Sequence, residues 1–250
     1  MIRKTLPHTK KCTFAVIIPS SEPKFKGLPS PAGTGFFISS DGYFITAYHV
    51  VKEIYESKIK GKTQLEQPEY GMSQISDIKI EKVWPQFDIA LLKADLNKCS
   101  DKELLRHASE FYYLEIDFSV PEEGTPTYSF GYPLPKIEVR GDEKFMVAFQ
   151  SSCPRATSLI ISSHKNLIGP FYSKKKIFPK FYVIDKALNY GNSGGPIVLQ
   201  ESGKVISLCI EFQPVSIPQE TDSRIIIPSL YGISSSLKNI EQELKDVIRT

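Results

Sequence analysis

An all-β protein is the class this sequence of 250 residues predicts, and three observations predict it. Its apolar segments are short, rich in β-branched and aromatic residues, and bounded by Gly, Pro, Asp and Ser. Phe36-Phe37-Ile38 and Tyr43-Phe44-Ile45-Thr46 flank the turn Ser39-Ser40-Asp41-Gly42, a strong hairpin signal. Helical spacing of apolar residues is confined to two stretches, one mid-chain and one near the C-terminus.

Taken in order, residues 12–18 form an apolar run behind Lys10-Lys11 and read as the first strand, with His8 in a mobile segment before it. The hairpin around Asp41-Gly42 follows. Further strands are predicted over 77–83, 89–94, 127–131, 145–150, 159–162, 181–184, 196–199, 205–212 and 231–234, an inventory that suits two barrels. Ser100-Asp101-Lys102-Glu103 is a capping box, in which the serine accepts from the amide three residues on and the glutamate reaches back. A helix is therefore predicted over 101–111, between the lobes. In the last segment Leu237, Ile240, Leu244, Val247 and Ile248 recur at helical spacing behind a run of serines, which predicts a helix over 237–248 docked by its apolar face.

The chemistry concentrates in Gly191-Asn192-Ser193-Gly194-Gly195-Pro196, where a serine sits in a glycine turn whose amides are free to face a developing negative charge. A serine hydroxyl is a weak nucleophile at neutral pH, so it needs a histidine as base and a carboxylate to orient that histidine. His49 ends the apolar run Ile45 to Tyr48, and Asp88 opens Ile89-Ala90-Leu91-Leu92-Lys93. The chain order His, Asp, Ser discriminates among known solutions. An α/β-hydrolase needs its histidine after the serine, yet His8, His49, His107 and His164 all precede Ser193. Pro196 to Leu199 also leads through Glu201-Ser202-Gly203-Lys204 into another strand, which makes a hairpin where that fold has a helix. A subtilisin-like order needs an aspartate before the histidine, and the single one there, Asp41, lies in a turn. Taken singly, the serine reads as a turn residue, the histidine as a packed polar group and the aspartate as a cap. Their joint order and flanks decide for function.

Three blocks, Gly33-Thr34-Gly35-Phe36-Phe37-Ile38 through Thr46-Ala47-Tyr48-His49-Val50, then residues 88–93, then 185–196, resemble the chymotrypsin-fold (trypsin-like) serine proteases, and among them the bacterial HtrA-type proteases. The resemblance implies two six-stranded antiparallel Greek-key β-barrels with a C-terminal helix, as lobes 1–118 and 119–250. It assigns His49 as base, Asp88 as its orienting carboxylate and Ser193 as nucleophile, with the amides of Gly191 and Ser193 as the oxyanion hole. Ala187, six positions before Ser193, would floor the pocket for the substrate side chain, and its lack of charge implies cleavage after small or medium apolar residues. Ser207, Leu208, Cys209 and Ile210 would offer the strand edge that pairs with substrate backbone. The segment 166–180, with Lys174-Lys175-Lys176, is longer than a simple hairpin needs and is expected to regulate the oxyanion turn when a protein activator binds.

Bulk properties fit this reading. A net charge of +3 calls for no nucleic-acid partner, and the lysine run reads as a solvated loop. Cys12, Cys99, Cys153 and Cys209 are widely separated with no paired-ligand spacing, so neither a metal nor a cofactor is expected. No run of eighteen apolar residues occurs, and 12–18 lacks a small-x-small cleavage site after it, so neither a membrane span nor a secretory signal is expected. Val50 stands where secreted animal relatives carry a disulfide cysteine. A cytoplasmic, regulated serine endopeptidase acting on protein or peptide substrates is the expectation. Two others stand beside it: a general quality-control protease of the HtrA kind, and a proteolytically silent binding module of the same fold.

Overall fold

The computed structural model describes residues 2–21, 27, 29–56, 63–67, 73–95, 106–107, 110–133, 136–142, 145–151, 154–166, 180–218 and 224–248. Strands β1 (Thr13–Pro19), β2 (Pro29–Phe37), β3 (Tyr43–Ala47), β4 (Thr63–Gln67), β5 (Ser73–Trp84) and β6 (Ile89–Lys93) close into a barrel in the order β1-β2-β3-β6-β5-β4. Two-residue strands β7 (Arg106–His107) and β8 (Glu110–Phe111) come next. Then follow β9 (Pro126–Gly131), β10 (Lys136–Asp142), β11 (Phe145–Ser151), β12 (Arg155–Asn166), β13 (Lys180–Ile184), β14 (Pro196–Leu199), β15 (Val205–Pro218) and β16 (Arg224–Ser236). Of these, β12-β13-β16-β15-β14-β9 close the second barrel. Counted from its own first strand, the second barrel repeats the strand order of the first. The sequence shows no matching repeat, so the symmetry lives in topology alone.

The run at 13–17 is apolar at four of five positions because β1 is covered on both faces. Phe14 and Val16 point into the first barrel, where Phe14, Phe37 and Phe44 meet edge to face. Ala15 and Ile17 point the other way, against Phe130 and Tyr132 of the second lobe. A second cluster, including Leu159, Ile161, Tyr182, Ile184, Ile197 and Ile206, fills the other barrel.

The structure corrects two expectations about helices. The segment before β1 is helix α1 (Ile2–Cys12), not a mobile tail. The sequence signal is poor, with Pro7 inside it, but the Tyr128 hydroxyl lies 2.7 Å from the Thr9 hydroxyl and 3.0 Å from that of Thr5. The capping box at 100–103 lies outside the described residues. Of the helix predicted over 101–111, Arg106–His107 and Glu110–Phe111 pair instead as β7 and β8. Tertiary contact overrides the local signal here: Phe111 stacks on Phe37 at 4.4 Å between ring centroids, and its amide donates to the Ser40 carbonyl. At the C-terminus a 3₁₀ turn (Leu237–Ile240) leads into α3 (Glu241–Ile248), and Leu237, Ile240 and Leu244 are buried as predicted. The strand expected over 145–150 forms as β11, but it pairs with β10 outside the barrel.

Candidate active site

Between β3 and β4 the chain forms helix α2 (Tyr48–Tyr55), which places His49 in its first turn. The Ala47 N-cap offers no side-chain cap. Asp88 fills that role from another element: its carbonyl accepts from the Tyr48 amide at 3.1 Å, and its Oδ1 accepts from the His49 amide at 2.8 Å. Its second oxygen, Oδ2, lies 2.6 Å from His49 Nδ1. Asp88 reaches all three because it is left-handed, at φ 53°, after the 3₁₀ turn Pro85–Phe87. It is the one non-glycine residue with positive φ among the described residues, and aspartate is among the side chains that tolerate that region best.

Ser193 comes from the second lobe, in a turn shaped by Gly191 at φ 92° and Gly194 at φ 85°. The Gly195 amide donates to the Asn192 carbonyl at 2.8 Å, and the Gly194 amide to the Cys209 carbonyl at 2.7 Å. By contrast, the amides of Gly191 and Ser193 donate to no backbone carbonyl among the described residues. The Ser193 hydroxyl donates to the Ile210 carbonyl at 3.3 Å, not to His49. Ile210 can offer that carbonyl because β15 bulges between Cys209 and Glu211 in its pairing with β16.

His49, Asp88 and Ser193 line one cleft of about 650 Å³. Tyr48, Lys52 and Phe87 complete it from the first lobe, and Leu188, Tyr190, Ile210, Glu211 and Phe212 from the second. The wall beside Ser193 is therefore mainly apolar, with one carboxylate at Glu211. Cys209 lines the cleft as a free, buried thiol, pushed up to about 12 by burial and then by the charges of Asp88 and Glu211. It stays neutral at physiological pH.

The substrate-binding residues expected from the sequence lie only partly on the cleft. Ala187 is not among the residues lining it; its amide donates to the Leu230 carbonyl, and it lines an adjoining hollow with Arg155, Lys186 and Leu230. The next residue, Leu188, lines both the hollow and the cleft. Ser207 and Leu208 are fully buried and paired on both sides, with Ile197 and Pro196 of β14 and with Ser236 and Ser235 of β16. Cys209 is occupied likewise by Gly194, Gly195 and Ser234. None of the three has a free edge. The edge starts at Ile210, the last of the four residues expected to offer it, past the point where Pro196 opens β14 against Leu208. Loop residues 167–179 lie outside the described residues. His8 and His164 bind the carbonyls of Tyr113 and Pro121, and neither lines the cleft.

Comparison with known proteins agrees with this architecture. A family model of the trypsin-like peptidase domain matches residues 33–208. The chain is 27% identical over 183 residues to a probable periplasmic serine endoprotease, DegP-like, of Bartonella henselae, covering 72% of this chain and 28% of that protein. It is 26% identical over 183 residues to the uncharacterized protein y4bJ of Sinorhizobium fredii, covering 73% of this chain and 22% of that one. The chain thus spans about a quarter of the length of these relatives. Among solved structures, the HtrA-type protease AlgW with a decapeptide superposes with a TM-score of 0.63 at 15% identity, over 100% of this chain and 68% of the other. The active form of the Rv3671c protease from M. tuberculosis gives 0.62 at 17% identity, over 96% and 82%. These structures share the fold, and the family match extends over all three blocks that hold His49, Asp88 and Ser193, so the chain belongs to the trypsin-like peptidase family.

Proposed function

We propose that the chain is a serine endopeptidase in which His49, Asp88 and Ser193 act as a triad. One observation carries the proposal: the doubly bonded His49–Asp88 pair shares a cleft with a serine whose turn has two amides without backbone acceptors among the described residues. In the reaction Ser193 Oγ bonds to the substrate carbonyl carbon as its proton passes to His49 Nε2. The carbonyl π electrons move onto oxygen, where the Gly191 and Ser193 amides donate to it. Collapse breaks the C–N bond as His49 returns the proton to the leaving amine, and water repeats the sequence to release the acid. Asp88 keeps the ring nitrogen facing it protonated, so that Nε2 is free to accept.

The Ser193 hydroxyl must leave the Ile210 carbonyl and turn to His49 before attack, which favours an enzyme controlled by what binds its cleft. Leu188, Ile210 and Phe212 support small or medium apolar side chains at the cleaved position, with substrate backbone on the edge from Ile210. An activator acting on 166–180 and a cytoplasmic setting remain parts of this proposal; the free thiols of Cys12 and Cys209 support the latter, and cell fractionation tests it.

Labelling with a fluorophosphonate probe tests the triad. Wild type should react, with or without cell extract as activator, while Ser193→Ala and His49→Ala should not. Equal labelling of wild type and Ser193→Ala would remove Ser193 as nucleophile, and no labelling under either condition would favour a silent binding module.

A further inference from the structure

The oxyanion turn is held largely by one residue of the opposite lobe. Thr34, on β2 and fully buried, donates its amide to the Ser193 carbonyl at 2.8 Å. Its hydroxyl donates to the Gly191 carbonyl at 2.6 Å and accepts from the Tyr132 amide at 3.0 Å. The Thr34 carbonyl is itself fixed by the Thr46 hydroxyl at 2.7 Å. Of the three carbonyls from Gly191 to Ser193, Thr34 thus holds two, and the Asn192 carbonyl is held from within the turn by Gly195.

A peptide unit is planar, so fixing a residue's C=O fixes the N–H of the next residue and limits rotation of the neighbouring units. The Gly191 carbonyl, gripped by the Thr34 hydroxyl, shares its plane with the Asn192 amide, and the Ser193 carbonyl, gripped by the Thr34 amide, with the Gly194 amide. Between these two held units lies the Asn192–Ser193 peptide, whose N–H is that of Ser193, next to Gly191 at φ 92°, where glycine rotates at little steric cost. The approach of β2 is close at this point: a Cβ on Gly33 would lie 2.7 Å from the Ser193 carbonyl oxygen.

We infer that Thr34 is a positioning residue that keeps the Ser193 amide directed at the substrate oxyanion, by holding the peptide units on both sides of the Asn192–Ser193 peptide. The inference rests on the triad reading above. It requires a hydroxyl, because the side chain donates and accepts at once. Valine keeps the shape and the backbone bond to Ser193 but loses both side-chain bonds; serine keeps all three.

The test is saturation kinetics of fluorophosphonate inactivation of the full chain, with Ser193→Ala as the blank. Thr34→Val should lower the maximal rate about 10- to 100-fold, less than the loss of a whole oxyanion donor, with half-saturating probe concentration within about twofold. Thr34→Ser should stay within about threefold of wild type. If Thr34→Val does not fold, Thr34→Ala is read in its place. An unchanged maximal rate in the valine variant, a loss confined to half-saturation, or a serine variant as slow as the valine variant overturns the assignment of Thr34 while the triad stands. A wild type that does not react overturns both.

Discussion

Asp88 meets His49 through both carboxylate oxygens, one on the ring at 2.6 Å and one on the backbone amide at 2.8 Å. Asparagine has a single acceptor oxygen for these two donors. If it keeps the backbone bond, its NH₂ faces Nδ1 and forces the ring into the tautomer whose Nε2 carries the proton and cannot act as base. Asp88→Asn should therefore lower kcat by about 10⁴-fold with little change in KM, measured by steady-state hydrolysis of fluorescein-labelled casein. A loss of less than about tenfold would show that the pair is structural.

Ala187 lines the hollow beside the cleft but not the cleft itself, whereas Leu188 lines both. A charge introduced at 187 should not reach the substrate side chain, so Ala187→Asp should create no preference for Lys or Arg at the cleaved position. Leu188→Ala should widen the cleft wall and move preference toward larger apolar side chains by about tenfold or more, the scale of one methylene in an apolar pocket. Profiling cleavage of a peptide library by both variants separates the two positions. New cleavage after Lys or Arg in Ala187→Asp would restore Ala187 to the pocket floor.

Glu241, at the start of α3, is held below its ordinary value of 4.5 by hydrogen bonds from Lys238 and Lys245. A carboxylate whose folded pKa is depressed adds stability above its unfolded value and loses it as pH falls through the folded one. Both lysines are solvent-accessible and screened, so the effect is small. At pH 7 Glu241→Gln should melt about 1–2 °C below wild type, and the gap should close as pH drops below about 4. Differential scanning calorimetry across that range checks it; a gap that persists in acid would mean the loss is not electrostatic.

The parts of the fold written locally were legible in the sequence. Short apolar runs with flanking turns marked β1, β3, β6, β14 and the start of β15, and the spacing from Leu237 marked the C-terminal helix. What escaped depended on partners distant in sequence. Helix α1 carries Pro7 and owes its place to Tyr128. Strand β4, Thr-Gln-Leu-Glu-Gln, is mostly polar and is ordered by β1 on one side and β5 on the other. The site behaved the same way. Order along the chain led to His49, Asp88 and Ser193, but the pocket lining and substrate edge depend on which way Leu188 turns and where β14 starts, and both are matters of register.

Helix α1 also bears on how the molecule comes apart. It lies against Tyr128 of the second barrel, with Lys10 over the Phe130 ring, and runs without a break into β1 of the first. Gln67 of the first barrel donates to the carbonyls of both Lys10 and Thr13, fastening that junction. The polypeptide is in this way buckled across the seam between the barrels. Prising the lobes apart would strip the helix from its seat and pull on the first strand together, so neither barrel can melt without loosening the other, and the histidine-bearing and serine-bearing halves keep or lose their alignment as a unit.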